Sequence, residues 1–442
     1  MGKTKDFSKK QLHLSLGSYF IGNLSSGIFN FVLSLYVLKA TDSSFSFSLI
    51  LMLGPLATIL GSPLVGQVVD RYPHKSIALA AQLSSILLVS LSMLLFTKFQ
   101  TTLGIVLIAG ALAFWLTLCD DFQTIAYKAS TLNLVAKADH QKLITGEQTI
   151  SALMMLVAPI LGGVLYPVVT LKQVMFLEIV GEAWVFFSLL RLDFTAFGSE
   201  TRTDKRENIL SGSFAGLRYI KEDQLLKALL IFGVVANLVL TAVEVGDPVV
   251  LVKDLGVSAH TYGWIMSSLA LGMIVGSILM GNIKVKQGKC RFTAKVSFLM
   301  VVSLLAMALV LLYSSTLLVS AVFTVSLFLL GLAICLANVP YALHMRTEVA
   351  VEKQGRINAT AAAILELASP LGLFVFGTLF QYLSPGAIFF FASVILAVVG
   401  SWLYSDKKNT ELSVPFYQLK LSSLSFNSGV RCSTSCRYAI SE

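Results

Sequence analysis

Charge is scarce in this chain. Only 13% of its 442 residues are Asp, Glu, Lys or Arg, against 56% hydrophobic, and the mean hydropathy is +0.79. A water-soluble chain of this length needs far more charge to cover its surface, so most of the apolar surface must face lipid. Cysteine is sparse as well. Cys119, Cys290 and Cys335 fall in or beside apolar runs, and Cys432 and Cys436 sit near the C-terminus. Five thiols so placed give no disulfide framework, and a C-x₃-C pair without nearby histidines gives no metal site. The motifs of soluble enzymes are missing too. There is no H-E-x-x-H, no Walker A, no strand-borne G-x-G-x-x-G and no G-x-S-x-G. No enzymatic activity and no cofactor are expected. Any uphill work must then draw on an ion gradient or the membrane potential.

The chain does hold apolar runs long enough to cross about 30 Å of hydrocarbon as helices. Approximate spans are 14–38, 45–66, 76–97, 103–127, 146–168, 173–191, 225–252, 260–282, 294–314, 316–343, 357–383 and 385–404. The expected fold is an all-α integral membrane protein, with twelve transmembrane helices in two six-helix bundles. The bundles are expected over 1–191 and 225–404, joined by a charged linker at 192–224 whose end, from Phe214 to Gln224, suits a short amphipathic surface helix. A Ser-rich tail at 405–442 lacks a sustained apolar run and reads as disordered.

The net charge of +9 does not point to nucleic acid, because its distribution follows the membrane. With the N-terminus inside, the 33 basic residues all fall on the cytoplasmic side except Lys39, Lys98, Lys172 and Lys253. That asymmetry places both termini in the cytoplasm of a multi-pass cell-membrane protein. No cleavable leader is expected at the charged start, and Asp6 breaks the myristoylation pattern.

The two halves echo one another. Gly61-Ser62-Pro63-Leu64-Val65-Gly66 runs into Asp70, Arg71, His74 and Lys75. Gly276-Ser277-Ile278-Leu279-Met280-Gly281 runs into Lys284, Lys286, Lys289 and Arg291. A membrane protein repeated in this way is a two-bundle transporter with its substrate path between the halves. The first copy, Gly66-x-x-x-Asp70-Arg71-x-x-His74-Lys75, resembles the signature loop of the major facilitator superfamily at Gly66, Asp70, Arg71 and Lys75. Pro73 and His74 depart from it. The resemblance implies that the glycine allows close helix packing, and that Asp70 and the basic residues form a cytoplasmic charge lock. On span 5, Ala158-Pro159-Ile160-Leu161-Gly162-Gly163 is similar to a stretch of the drug-exporting branches. It implies a bend at Pro159 and close packing at Gly162 and Gly163. Ser369-Pro370-Leu371-Gly372 answers it in the second half. Diffuse similarity up to about residue 404 is to the macrolide-efflux and enterobactin-exporter branch.

Acidic residues within spans are the candidates for proton coupling, because a charge in hydrocarbon is costly unless it faces a cavity or a partner. Glu178 and Glu182 stand i,i+4 on one face of span 6. Glu244 and Asp247 stand i,i+3 on span 7, just before a kink expected at Pro248. Glu366 lies mid-span on span 11. Asp120 and Asp121 are adjacent and so cannot share a face, whereas Asp121 and Lys128 do. The alternatives are structural hydrogen bonds for Glu178, Glu182 and Glu366, and positions at a membrane surface for the others. Thr145-Gly146-Glu147-Gln148 reads as a capping box opening span 5, which gives Glu147 a helix-dipole role. Asn23, Asn30 and Tyr36 on span 1, and Asn338, Tyr341 and His344 on span 10, are expected to line the cavity.

The sequence therefore reads as a monomeric alternating-access transporter that exports hydrophobic or amphiphilic small molecules in exchange for protons, macrolide-like drugs or siderophore-like metabolites among them. Its rivals are an uptake symporter on the same fold and a membrane sensor or scaffold that no longer transports.

Overall fold

The computed structural model describes residues 2–198, 209–280, 288–313 and 315–405. Among these there are fourteen α-helices and no strand. In chain order they are α1 (Gly2–Thr41), α2 (Ser44–Arg71), α3 (His74–Lys98), α4 (Thr102–Leu134), α5 (His140–Leu165), α6 (Leu171–Arg191), α7 (Ile209–Glu222), α8 (Gln224–Pro248), α9 (Ala259–Met280), α10 (Lys289–Val310), α11 (Thr316–Ala337), α12 (Val339–Thr347), α13 (Val351–Tyr382) and α14 (Pro385–Ser405). Twelve spans are long and apolar enough to cross a bilayer, with α11 and α12 counting as one and α7 as none. Several helices start on a side-chain cap. Ser43, Thr101, Asp223 and Ser315 each accept a backbone N–H of the first turn, and Thr170 with Gln173 forms a full capping box.

The first six helices pack on one another, α1 against α5 and α6, and α4 against α2 and α3. The last seven form the second bundle, built on α8 with α13, α9 with α11, and α10 with α14. Two seams join the bundles: α2 against α13, and α5 against α9. The start of α1 defines one face of the molecule, here the terminal face. The α1–α2, α5–α6 and α8–α9 junctions lie on the opposite, far face.

Both seams are closed toward the far face. A Cβ on Gly377 of α13 would collide with Ser48 of α2, Phe45 packs edge-on against Phe374, and Ser43 bonds Gln381 at 3.3 Å. On the other seam, a Cβ on Gly163 would collide with the Ala259 carbonyl, and one on Gly263 with that of Pro159. The Ser267 hydroxyl donates to the Leu156 carbonyl at 2.7 Å. Phe31 of α1 stacks on Tyr262 of α9 with ring centroids 5.6 Å apart. Lys253 reaches the Asp42 carbonyl at 2.8 Å and its carboxylate at 3.4 Å.

The α2–α13 seam opens toward the terminal face. Gly66 lies five helical turns from Ser48 on the same face, and Ala359 five turns from Gly377. In this antiparallel pair those two positions would oppose each other. Yet a Cβ on Gly66, or on nearby Gly355, would meet nothing within 4 Å. The two helices therefore diverge, and the central space between the bundles faces the terminal side.

Several boundaries differ from the sequence reading. α4 runs to Leu134, and α5 begins at His140 rather than 146. A short 3₁₀ turn, Lys137–Asp139, leads into α5, where the Asp139 carboxylate takes the Ser8 hydroxyl and the Lys142 ammonium, each at 2.8 Å. Thr145 is no cap: its hydroxyl donates back to the Gln141 carbonyl at 2.6 Å. Glu147 accordingly sits inside the helix. α7 starts at Ile209, not Phe214, and rests on α13, where Gly216 abuts Thr360. At Pro248, where a kink is expected, the α-helix gives way to a π-helical segment, Val249–Asp254. The linker stretch 199–208, Gly281, Lys284, Lys286, and the tail beyond Ser405 with Cys432 and Cys436 lie outside the described residues.

His344 is not a cavity residue. It is buried at the terminal end of the second bundle, with Nε2 2.7 Å from Asp223 and Nδ1 3.1 Å from Glu348, which also pairs with Lys289. This network ties α12 to the starts of α8 and α10. Burial alone would push the Asp223 carboxyl up, but the His344 hydrogen bond and the Leu226 and Leu225 backbone N–H groups outweigh it and hold the carboxyl below its ordinary range. Asp223→Ala removes a helix cap as well as this pair, and about 1–3 kcal/mol of stability should be lost at neutral pH. A carboxyl lowered in the folded state stabilises above its unfolded pKa, and that stabilisation disappears as pH falls through the folded value. The drop in thermal midpoint should therefore narrow below about pH 4, read by fluorescence melting in detergent.

Candidate proton-coupling site

The acids of α6 converge inside the first bundle. Glu178 and Glu182, one turn apart, are 3% and 8% exposed, and their carboxyls interact directly. Ser26 of α1 donates to Glu178 Oε1 at 2.8 Å, while Glu178 Oε2 is buried without a hydrogen-bond partner. Gln82 of α3 donates to the Glu182 backbone carbonyl at 3.0 Å and to its carboxylate. Gln82 Oε1 is buried with no partner. An amide placed this way offers a donor to a carboxylate and an acceptor to a carboxylic acid, so it suits either protonation state.

Asp120 of α4 joins this pair, close enough to both glutamates to interact electrostatically. Asp121 does not. It turns toward Thr58 of α2 and toward Lys128, as the shared face of Asp121 and Lys128 requires. Glu182, Asp120 and Gln82 line a cavity of about 290 Å³ within the first bundle, which Asn23, Tyr127, Lys128 and Glu147 also line.

The other candidates are dispersed. Asp247 is fully buried with Oδ1 unpartnered, and Glu244, a turn earlier, is exposed; both lie near Tyr262, under the far-face closure. Glu366 is exposed on the face of α13 that meets α2 farther out, and no hydrogen bond or ion pair to it is found among the described residues. Asn23 donates to the Tyr19 carbonyl. Asn30 and Asn338 are exposed, and Asn338 donates back to the Ile334 carbonyl. Tyr341 donates to Asn358 at 2.8 Å, joining α12 to α13. Tyr36 stands edge-on to Phe96 and lines a separate far-face pocket of about 780 Å³ with Lys39, Asp42 and Lys253, which Glu178, Glu182 and Asp120 do not line.

The signature residues are disengaged. Asp70 and Arg71 are exposed and make no ion pair among the described residues. Lys75 instead caps the end of α6, donating to the Leu190 and Leu192 carbonyls at 2.9 and 2.7 Å. On α5, Gly162 accommodates the Phe31 ring, and Gly163 together with Pro159 accommodates the backbone of α9. Among the described residues no cluster of three or more His, Cys, Asp or Glu could hold a metal.

Sequence reasoning missed Gln82, Ser26 and Tyr127. The signal for Gln82 was present, since it is the lone amide in a span whose other polar residues between its charged ends are hydroxyls.

Two six-helix bundles with a small-residue seam and buried acids define a membrane transporter of the two-bundle kind. The Major Facilitator Superfamily sequence model matches residues 16–247 and 245–425, and the chain belongs to that family. It is similar to "Macrolide efflux protein A" of Streptococcus pyogenes, 24% identical over 355 residues, 79% of this chain and 84% of that protein. Its fold is similar to a bacterial homologue of the iron transporter ferroportin in an inward-facing state, with a TM-score of 0.72 at 14% identity over 90% of this chain and 99% of that one. Against an outward-facing structure of a bacterial ferroportin homologue, the TM-score is 0.56 at 16% identity, over 89% and 99%.

Proposed function

We propose that this transporter exports hydrophobic or amphiphilic compounds of macrolide-like chemistry in exchange for protons, and that Glu178 and Glu182 carry the coupling. The observation that supports this reading is the buried carboxyl pair itself, held by Ser26 and Gln82 beside Asp120, with Glu182 lining a polar cavity. Two buried carboxyls in contact cannot both carry charge at low cost, so the pair is stable when it shares a proton. A second proton neutralises it and lowers the cost of passing through an occluded state. Cargo arriving from the cytoplasm would displace that proton.

The basic asymmetry supports placing the terminal face in the cytoplasm, so that the shape described here is cytoplasm-open. In the cycle the bundles rock about the central space. Closure of the cytoplasmic side would bring Gly66 onto the small residue Ala359 and Asp70 toward the first turn of α13, whose N-cap, Ala350, has no side-chain cap of its own. The signature loop then acts as the lock of the cytoplasm-closed state, which fits its idleness here. Export as the direction follows the macrolide-efflux relative.

In inverted vesicles given an inward-acid gradient, a radiolabelled macrolide should accumulate, and a protonophore should abolish the accumulation. Accumulation that persists with the protonophore would refute proton coupling. Macrolide movement that goes only outward under the gradient would favour the uptake reading.

A further inference from the structure

We propose that Glu147 is the proton-transfer residue through which the Glu178–Glu182 pair exchanges protons with water at the terminal face. The inference rests on the coupling reading above and names the route that reading needs.

The pair lies deep. Glu182 is near the middle of α6, about 13 Å of helix rise from its terminal end, so its exchange with bulk water needs intermediate carriers. α5 enters from the terminal face, and Glu147 lies about 10 Å of helix rise from its start, nearer that face than Glu182 by about two residues of rise. Glu147 of α5 and Glu182 of α6 line the same cavity of about 290 Å³. The cavity is polar and has room for a chain of waters.

Glu147 is also equipped for the task. Its Oε1 is buried without a hydrogen-bond partner. The Tyr127 hydroxyl of α4 interacts with the Glu147 carboxyl and bonds the Ser15 hydroxyl of α1. Lys128 supplies a counter-charge near Glu147 from α4. The other ionisable groups lining the cavity are Tyr19 from α1, Asp120 from α4 and Glu182 from α6; α3 contributes the neutral Gln82.

The transfer balances simply. A proton from terminal-face water adds to the Glu147 carboxylate. Glu147 passes a proton to the Tyr127 oxygen while Tyr127 releases its own hydroxyl proton into the cavity. That proton reaches the glutamate pair. Tyr127 ends unchanged, and Lys128 faces a carboxylate again. The reverse sequence discharges the pair.

The test needs no cargo. In nanodiscs, a rapid acid jump is followed by time-resolved infrared absorption of neutral carboxyl groups. The part of the signal belonging to the pair is identified by its loss in the Glu178→Gln, Glu182→Gln double variant. Glu147→Gln should slow the rise of that signal about tenfold or more and leave its final amplitude unchanged. Glu147→Asp should stay near the parent rate, and a small weak acid such as formate should restore the rate of Glu147→Gln. An unchanged rate would overturn the proposal, and so would a slowed rate that neither formate nor Glu147→Asp restores. If the double variant loses no signal, the coupling reading itself fails and the relay fails with it.

Discussion

Glu182→Gln is expected to bring uphill macrolide accumulation in inverted vesicles down to the level of the medium, while leaving binding and downhill movement near the parent protein. The substitution is close to isosteric. Gln82 already presents an amide donor and a free acceptor to position 182, so a carboxamide there can be satisfied and the fold has little reason to suffer. What disappears is the exchangeable proton. One elementary charge moving through 100 mV is worth about 2.3 kcal/mol, enough for roughly a fifty-fold concentration ratio if one proton accompanies each neutral cargo molecule. Without the proton that ratio should fall to about one. Glu178→Gln should act in the same direction but less strongly, because Glu178 lies nearer the far face, with Ser26 on one oxygen. Full accumulation by both single variants and the double variant would move the coupling elsewhere, to Glu366, Glu244 and Asp247 in turn.

A pair of glycine substitutions should push the conformational equilibrium in opposite directions. At Gly163 any Cβ runs into the backbone of Ala259 and His260 on α9, and backbone cannot step aside as a side chain would. Gly163→Leu therefore penalises the far-closed arrangement; overpacking of about 1–3 kcal/mol shifts a two-state population roughly five- to 150-fold. At Gly66 a side chain meets empty space here but would meet Ala359 once the terminal side closes, so Gly66→Leu should hold the molecule in the far-closed shape. Gly17, with nothing near its Cβ position, is the control. Spin labels at Lys172 and Leu317 report far-face spacing between the bundles. The distance should lengthen for Gly163→Leu, stay short for Gly66→Leu and match the parent for Gly17→Leu. Transport should fall at least tenfold in the first two. Equal distance distributions in all three would contradict the rocking movement.

What could be read from the sequence was what periodicity and composition encode. The spans follow from the apolar runs, and the shared face of Glu178 and Glu182 from their i,i+4 spacing. What escaped depends on which helices meet. Nothing local to Gln82 says that it faces Glu182, one hundred residues away, and nothing local to Tyr127 says that it faces Glu147. Glu147 was misread for a different reason. Thr145 mimics a cap, but Asp139, held by Ser8 and Lys142, moves the helix start back to His140. His344 and Tyr36 carry polar groups on apolar helices, as cavity residues do. Their depth along the helix, at the terminal end for one and beside the far-face pocket for the other, is not written in the pattern.

The most direct measurement is proton release from the purified protein in weakly buffered detergent when a macrolide is added. Expected is a stoichiometric acidification near pH 7 that vanishes in the Glu178→Gln, Glu182→Gln double variant, although the variant still binds the macrolide. Release of equal size from the double variant, or none from the parent despite binding, would contradict exchange of cargo for a proton on this pair.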